Sequence, residues 1–156
     1  MSRLGKSIKR FVIDTNVFVA AVKPFSKPAP QMRRDMKTLS LLTKLITDED
    51  TELIGNSRLV GEYSQLAEEL NSKTSRLILQ QLITKMKIIE VDEKALRRCK
   101  PYLPNKESAD VIHATTCLQT KAVLITNDTD FNKIKESGII KVWSIGEAIR
   151  KILMLI

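Results

Sequence analysis

Cysteine, histidine and aromatic side chains are all scarce in these 156 residues, and each shortage closes a class of function. The two cysteines, Cys99 and Cys117, have neither metal-ligand spacing nor the density of a disulfide scaffold, and read as free thiols compatible with a core. With a single histidine, His113, and no paired cysteines, a zinc site has no ligand set. Aromatics make up only 4% of the chain, too few for a platform on which bases of a single strand would stack. No apolar run approaches the roughly 20 residues that span a bilayer, so no membrane partner is expected. The first ten residues are polar and basic without an apolar centre, which argues against a secretory signal and for a reducing cytoplasm. Internal repeats, low-complexity stretches and tight hairpin signals are missing as well.

What is abundant is positive charge. Twenty-six Lys and Arg against eighteen Asp and Glu leave a net charge of +8. Such an excess favours an anionic polymer as partner. The basic residues fall in clusters: Lys6, Lys9 and Arg10; Lys23 and Lys27; Arg33, Arg34 and Lys37; Arg97, Arg98 and Lys100. With few aromatics available, binding through phosphates is the expected mode, and its affinity should fall steeply with salt.

The hydrophobic pattern alternates strands with helices. Strands are expected at Arg10–Ile13, Leu53–Ile54, Lys87–Val91, Ala122–Ile125 and Ile139–Trp143. Helices are expected at Val17–Val22, around Leu39 to Ile46, and at Arg58–Leu70 with Asn56 or Ser57 as cap. Further helices follow at Lys73–Lys85 with Leu77, Leu82 and Ile83 on its apolar side, and at Glu93–Tyr102. Asn105 or Ser108 caps another from about Glu107 to Thr120, and Asp130–Glu136 and Ile145–Leu155 complete the set. Pro28 and Pro30 make Phe25–Gln31 a loop. The alternation predicts one α/β domain over residues 10–156, a mainly parallel sheet covered on both faces, preceded by a basic tail at residues 1–9.

Four acids fit this pattern poorly. Asp14 ends the run Phe11-Val12-Ile13, and Asp128 follows Val123-Leu124-Ile125. Both therefore stand at carboxyl ends of strands, where open α/β sheets bind ligands. Glu62 lies between Leu59 and Leu66 on a helical stripe, and Asp110 shares a face with Ala114 and Cys117. Singly, Asp14 and Asp128 could be helix caps, Glu62 could sit at the edge of the core, and Asp110 could be held by the helix dipole. Jointly they suit a hard divalent cation, which needs oxygen ligands and cancels their repulsion. His113, three residues after Asp110, could reach the same rim, although a lone helical histidine is more often structural.

The segments Phe11-Val12-Ile13-Asp14-Thr15-Asn16-Val17, Glu62, Ser108-Ala109-Asp110-Val111-Ile112-His113-Ala114 and Val123-Leu124-Ile125-Thr126-Asn127-Asp128-Thr129-Asp130-Phe131 resemble, in order and spacing, those of the PIN-domain nucleases. That family includes the toxin subunits of bacterial and archaeal toxin–antitoxin pairs. The resemblance implies a three-layer α/β/α sandwich and metal-dependent cleavage of RNA. By position, Asp14, Glu62, Asp110 and Asp128 would form the acidic cluster on Mg2+ or Mn2+, with Asp130 as a further ligand. Asn16 and Thr126 would support it, and Glu62 would bind directly or orient an attacking water. One or two ions would activate water and stabilise charge on phosphorus. The resemblance also implies an antitoxin partner and a homodimer; the apolar end Ile149–Ile156 would pack either on the core or against a second subunit. The segment from Pro24 to Asp48 makes this chain longer than compact toxin subunits. A non-catalytic nucleic-acid-binding scaffold, or an RNA-processing component, is the competing reading, but it leaves the clustered acids without use. A phosphate-accepting receiver would need a lysine and a mid-chain acceptor aspartate that the sequence does not place.

Overall fold

Phe11, Val12 and Ile13 are consecutive and all fully buried, which in a strand requires cover on both faces. They belong to β1, Lys9–Ile13, the central strand of a five-stranded parallel sheet. In the computed structural model, which describes residues 9–23, 32–106 and 108–154, the other strands are β2 (Thr51–Gly55), β3 (Lys87–Ile88), β4 (Val123–Ile125) and β5 (Lys141–Trp143). Their spatial order is β3-β2-β1-β4-β5, and the register pairs Phe11 with Leu53 on one side and Val123 on the other.

The helices are α1 (Thr15–Val22), α2 (Met32–Thr47), α3 (Ser57–Leu70), α4 (Lys73–Lys85), α5 (Glu93–Cys99), α6 (Ala109–Thr120), α7 (Asn132–Ser137) and α8 (Ile145–Ala148). From β1 the chain steps outward through β2 to β3, then returns across the sheet to β4 and β5 on the far side of β1. Right-handed crossovers in opposite directions put the connecting helices on opposite faces. Accordingly α6 packs on β1, β2 and β4, while α2 packs on β2, α1 and α4. The expected three-layer α/β/α architecture is present. The step from β1 to β4 is the point where the direction of winding reverses, and the crevice there opens at the carboxyl ends of both strands.

Local chemistry sets most boundaries. Asp14 caps α1 by accepting from Thr15 N, and Asn56 caps α3 by accepting from Leu59 N. Ser72 and Ser75 close a capping box at the start of α4. Several elements depart from expectation. β3 is two residues rather than Lys87–Val91, since only Gly55 and Ile54 remain on β2 to pair with. The helix from Glu93 tightens into a 3-10 turn at Lys100–Tyr102, where Pro101 cannot donate to a preceding carbonyl. The helix after Asp128 starts as a 3-10 turn, Thr129–Phe131, and the last helix passes from α8 into a π turn, Ile149–Leu153. Ile149, Ile152 and Leu153 of that turn pack on the core.

Leu77 is a plain miss. It is 52% exposed, because α4 turns Ser75, Ile78 and Leu82 inward instead. The predicted loop Phe25–Gln31 and most of the predicted tail lie outside the described residues; Lys9 alone of the tail is described, and it is the first residue of β1.

Candidate metal centre

The crevice between β1 and β4 is built around one buried carboxylate. Asp14, 5% exposed, follows the last residue of β1 and donates its backbone N–H to the carbonyl of Ile125 across the sheet. Its Oδ1 accepts from Thr15 N at 2.8 Å. Its Oδ2 accepts from Thr126 Oγ1 at 2.7 Å and from Asn16 Nδ2 at 3.0 Å. The Thr126 hydroxyl, having donated to Asp14, accepts from Asn16 Nδ2 and from Asp128 N, each at 3.0 Å. Asn16 Oδ1 in turn accepts from Asn127 N at 3.1 Å. Asn16 and Thr126 therefore tie the end of β1 to the end of β4, and every polar side-chain atom in the knot has a partner.

Three further acids converge beside it. Asp110 stands in the first turn of α6, Asp128 caps the turn Thr129–Phe131, and Asp130 lies within that turn. Among the described residues, these three can each present an oxygen within 4.8 Å of the others. Burial raises the Asp110 carboxyl to about 6, with the charges of Asp14, Asp128 and Asp130 adding to the shift. Asp14 is thus close enough for its field to be felt, although it stands outside the trio.

Glu62 takes a different position. It projects from α3, and its Oε1 meets His113 Nε2 at 2.8 Å, while Arg58 Nε is 3.9 Å from Oε2. His113, 1% exposed on α6, has its other ring nitrogen 3.2 Å from Asn56 Nδ2. The proton positions follow from bookkeeping along the chain of bonds. Asn56 Oδ1 accepts from Leu59 N, so its amide nitrogen faces Thr116 and His113. Thr116 Oγ1 donates to Ile112 O and must accept from Asn56. Asn56 therefore also donates to His113 Nδ1, leaving Nε2–H to donate to Glu62. The neighbouring Tyr63 fixes α3 to the site by donating its hydroxyl to the carbonyl of Ile13, and its ring packs on Phe18 at 5.5 Å between centroids. Burial, with Asp14 and Glu62 nearby, holds that phenol well above its ordinary range.

Of the five predicted ligands, then, Asp110, Asp128 and Asp130 come together, Asp14 lies beside them with its oxygens largely engaged, and Glu62 is outside the trio, bonded to His113. Sequence reasoning treats Asn56 only as a helix cap and does not place Thr116 at all. The spacing of His113 three residues after Asp110 is the one available hint of this network, since it puts both on adjoining faces of α6. Cys99 and Cys117 are buried free thiols, both pushed up in pKa by burial, and neither hydrogen-bonds to the acids.

Comparison with known proteins agrees with the fold. No curated protein matches the chain. Among solved structures, FitAcB from Neisseria gonorrhoeae aligns at a TM-score of 0.56 and 19% identity, covering 87% of this chain and 98% of that one. VapBC2 from Rickettsia felis, bound to a DNA fragment from the promoter, aligns at 0.55 and 16%, covering 86% and 98%. VapBC-1 from nontypeable Haemophilus influenzae aligns at 0.53 and 14%, covering 88% and 98%. At these identities the likeness is one of fold. The family model of the PIN domain, however, matches residues 11–137, which run from β1 through all the acids described above, and the chain belongs to the PIN domain family.

Proposed function

We propose that the protein is a Mg2+- or Mn2+-dependent endoribonuclease that hydrolyses RNA phosphodiester bonds, and that it is the toxin of a toxin–antitoxin pair. The observation that carries the reading is the trio Asp110, Asp128 and Asp130 at the reversal of the sheet, with the Asp110 carboxyl raised to about 6 by burial and by the charges of Asp14, Asp128 and Asp130. The donor set suits such an ion. All three ligands are hard oxygens, the donors such a cation prefers, and Asp110, Asp128 and Asp130 would hold it, each presenting an oxygen within 4.8 Å of the others. When bound, the ion supplies Lewis acidity and lowers the pKa of water.

The chain's own groups have separable roles in this reading. Asp110, Asp128 and Asp130 hold the ion. Asp14 already accepts three hydrogen bonds, from Thr15, Asn16 and Thr126, and keeps one lone-pair direction for a ligand. Asn16 and Thr126 fix its orientation. Glu62, with one oxygen anchored by His113, orients the water that attacks phosphorus. The toxin role follows from the motif resemblance, and the VapBC and FitAB structures of the same fold support it. An antitoxin segment would lie across the acidic rim. Exposed Met36 on α2, and exposed Met154 just past the π turn that packs on α2, favour a second copy of the chain as a further partner. In this reading the chain from Lys9, which belongs to β1 and not to the predicted tail, acts as one catalytic domain.

The test is cleavage of an end-labelled RNA pool with Mg2+ or Mn2+, with and without EDTA, by wild type and by Asp128→Asn. The expected result is cleavage that EDTA abolishes and that Asp128→Asn lowers by at least a hundredfold. A folded, Mn2+-binding protein that leaves every RNA intact would make the chain a nucleic-acid-binding scaffold instead.

A further inference from the structure

At the end of the sheet opposite the acids, the structure forms a cleft of about 770 Å3 that the chemistry above does not use. Its charged lining consists of Lys9 and Arg10 from β1, Arg98 from α5, Lys121 at the end of α6 and Lys141 from β5; among the described residues no Asp or Glu lines it. A second cleft of about 400 Å3 shares Arg10 and Lys121 with the first and adds Lys87 of β3. Lys87 and Lys141 lie on the two edge strands, four strand spacings apart, or roughly 19 Å. The cationic groups therefore follow an extended path around the amino-terminal edge of the sheet rather than a single point.

Three details say what such a path would hold. Strand alternation and the register place Lys9, Phe11, Val123, Lys141 and Trp143 on one face, so the half-buried Trp143, with Lys151 over its ring, lies beside the cations. The rings of Phe11 and Trp143 are 5.6 Å apart. Lys121 occupies the left-handed region, with φ of +58°, at a helix end where glycine is the favoured residue. A lysine is therefore kept there against backbone preference. Among the described residues, Arg10 is the one cation of the path with a carboxylate partner, Glu52 at 2.7 Å.

We propose that this paired cleft is a binding groove for a phosphodiester strand, gripping RNA on the side of the sheet away from the acidic rim. The proposal rests on the reading that the substrate is RNA, but it concerns binding alone and is tested without cleavage. Anisotropy of a labelled 12-nucleotide single-stranded RNA is measured in EDTA across a salt series. The variants are Lys121→Glu/Lys141→Glu in the groove and Lys73→Glu/Arg76→Glu on α4, which line neither cleft and carry the same change in net charge. The groove pair is expected to weaken binding at least tenfold and to flatten the salt slope by about 1.4, at roughly 0.7 for each phosphate no longer neutralised. The control pair should change affinity less than threefold. Lys121→Gly separates binding from folding, because it should weaken binding while leaving the melting temperature unchanged or higher. Equal losses for groove and control pairs would overturn the proposal, as would competition by a mononucleotide as effective as that by the 12-mer. Binding that survives in a protein unable to cleave would leave the groove intact and remove only the nuclease reading.

Discussion

The two ends of the sheet hold charge in opposite ways. At the carboxyl ends, Asp14, Thr126 and His113 are each no more than 5% exposed, and their polar atoms are locked into shared hydrogen bonds. At the amino ends, Lys9, Lys121 and Lys141 are exposed and stand on long, solvated stems. The difference reflects what each sign of charge can tolerate. A carboxylate is short, so clustering several of them needs a scaffold that fixes each against its neighbours' repulsion, and removing water from them is costly. A lysine reaches several ångströms into solvent and can wait there for a polyanion at little cost. Geometry is therefore built in at one end and left to the ligand at the other.

This contrast can be pressed experimentally. The largest effect is expected from placing one change at each end and reading both kinetic constants. Asp110→Asn should lower kcat by a factor of at least a hundred with KM near its original value, whereas Lys141→Glu should raise KM several-fold with kcat near wild type. Steady-state cleavage of a short labelled RNA resolves the two, and a matched fall in kcat for both variants would erase the distinction.

His113→Ala comes next. It strips Glu62 of its anchor, leaves an Asn56 N–H without its acceptor and opens a cavity between α3 and α6. Those losses together should lower stability by about 2–4 kcal/mol, measured by urea unfolding. Activity should fall further than unfolding alone explains, and His113→Gln should restore part of it.

The pH response of the acidic end is smaller. Asp110 titrates at about 6 in the native protein and near the ordinary carboxylate value when unfolded. Between about pH 4 and pH 6 the native state consequently binds more protons than the unfolded chain, and metal-free stability falls as pH rises. Asp110→Asn should match wild type near pH 4 and exceed it above pH 6 by about 1–2 kcal/mol once solvent screening is allowed for. Added Mg2+ should reverse the order, since it stabilises only the protein that keeps the carboxylate. Thermal melts at several pH values, with and without Mg2+, decide the matter.

The smallest effect belongs to the basic end. Glu52→Gln breaks the exposed pair with Arg10, and should change stability by less than about 0.5 kcal/mol. A loss of several times that in urea unfolding would mean that the amino-terminal edge is preorganised after all.

The sequence makes some of this visible and hides the rest for definable reasons. Asp14 and Asp128 stand out because each follows a short apolar run, a local signal that survives without any knowledge of tertiary structure. The sheet is legible for the same reason, apart from its edges. β3 shrinks to two residues because pairing, and not apolar content, ends a strand. Leu77 is misplaced since α4 packs through Ser75, Ile78 and Leu82, and the periodicity admits either face. The anchoring of Glu62 depends on a residue 51 positions away, and the basic cleft assembles Lys9, Arg98, Lys121 and Lys141 from four separate places in the fold. No window along the chain contains either.

The hydrogen bond from Thr126 to Asp14 spans 112 residues, and the acids it neighbours, Asp110, Asp128 and Asp130, all lie in the last third of the chain. Synthesis runs from the amino terminus, and β1 cannot meet β4 until β4 has left the ribosome. A growing polypeptide of about a hundred residues thus carries Asp14 with nothing to complete it. The acidic rim comes into being late in translation, and every shorter product of synthesis lacks it.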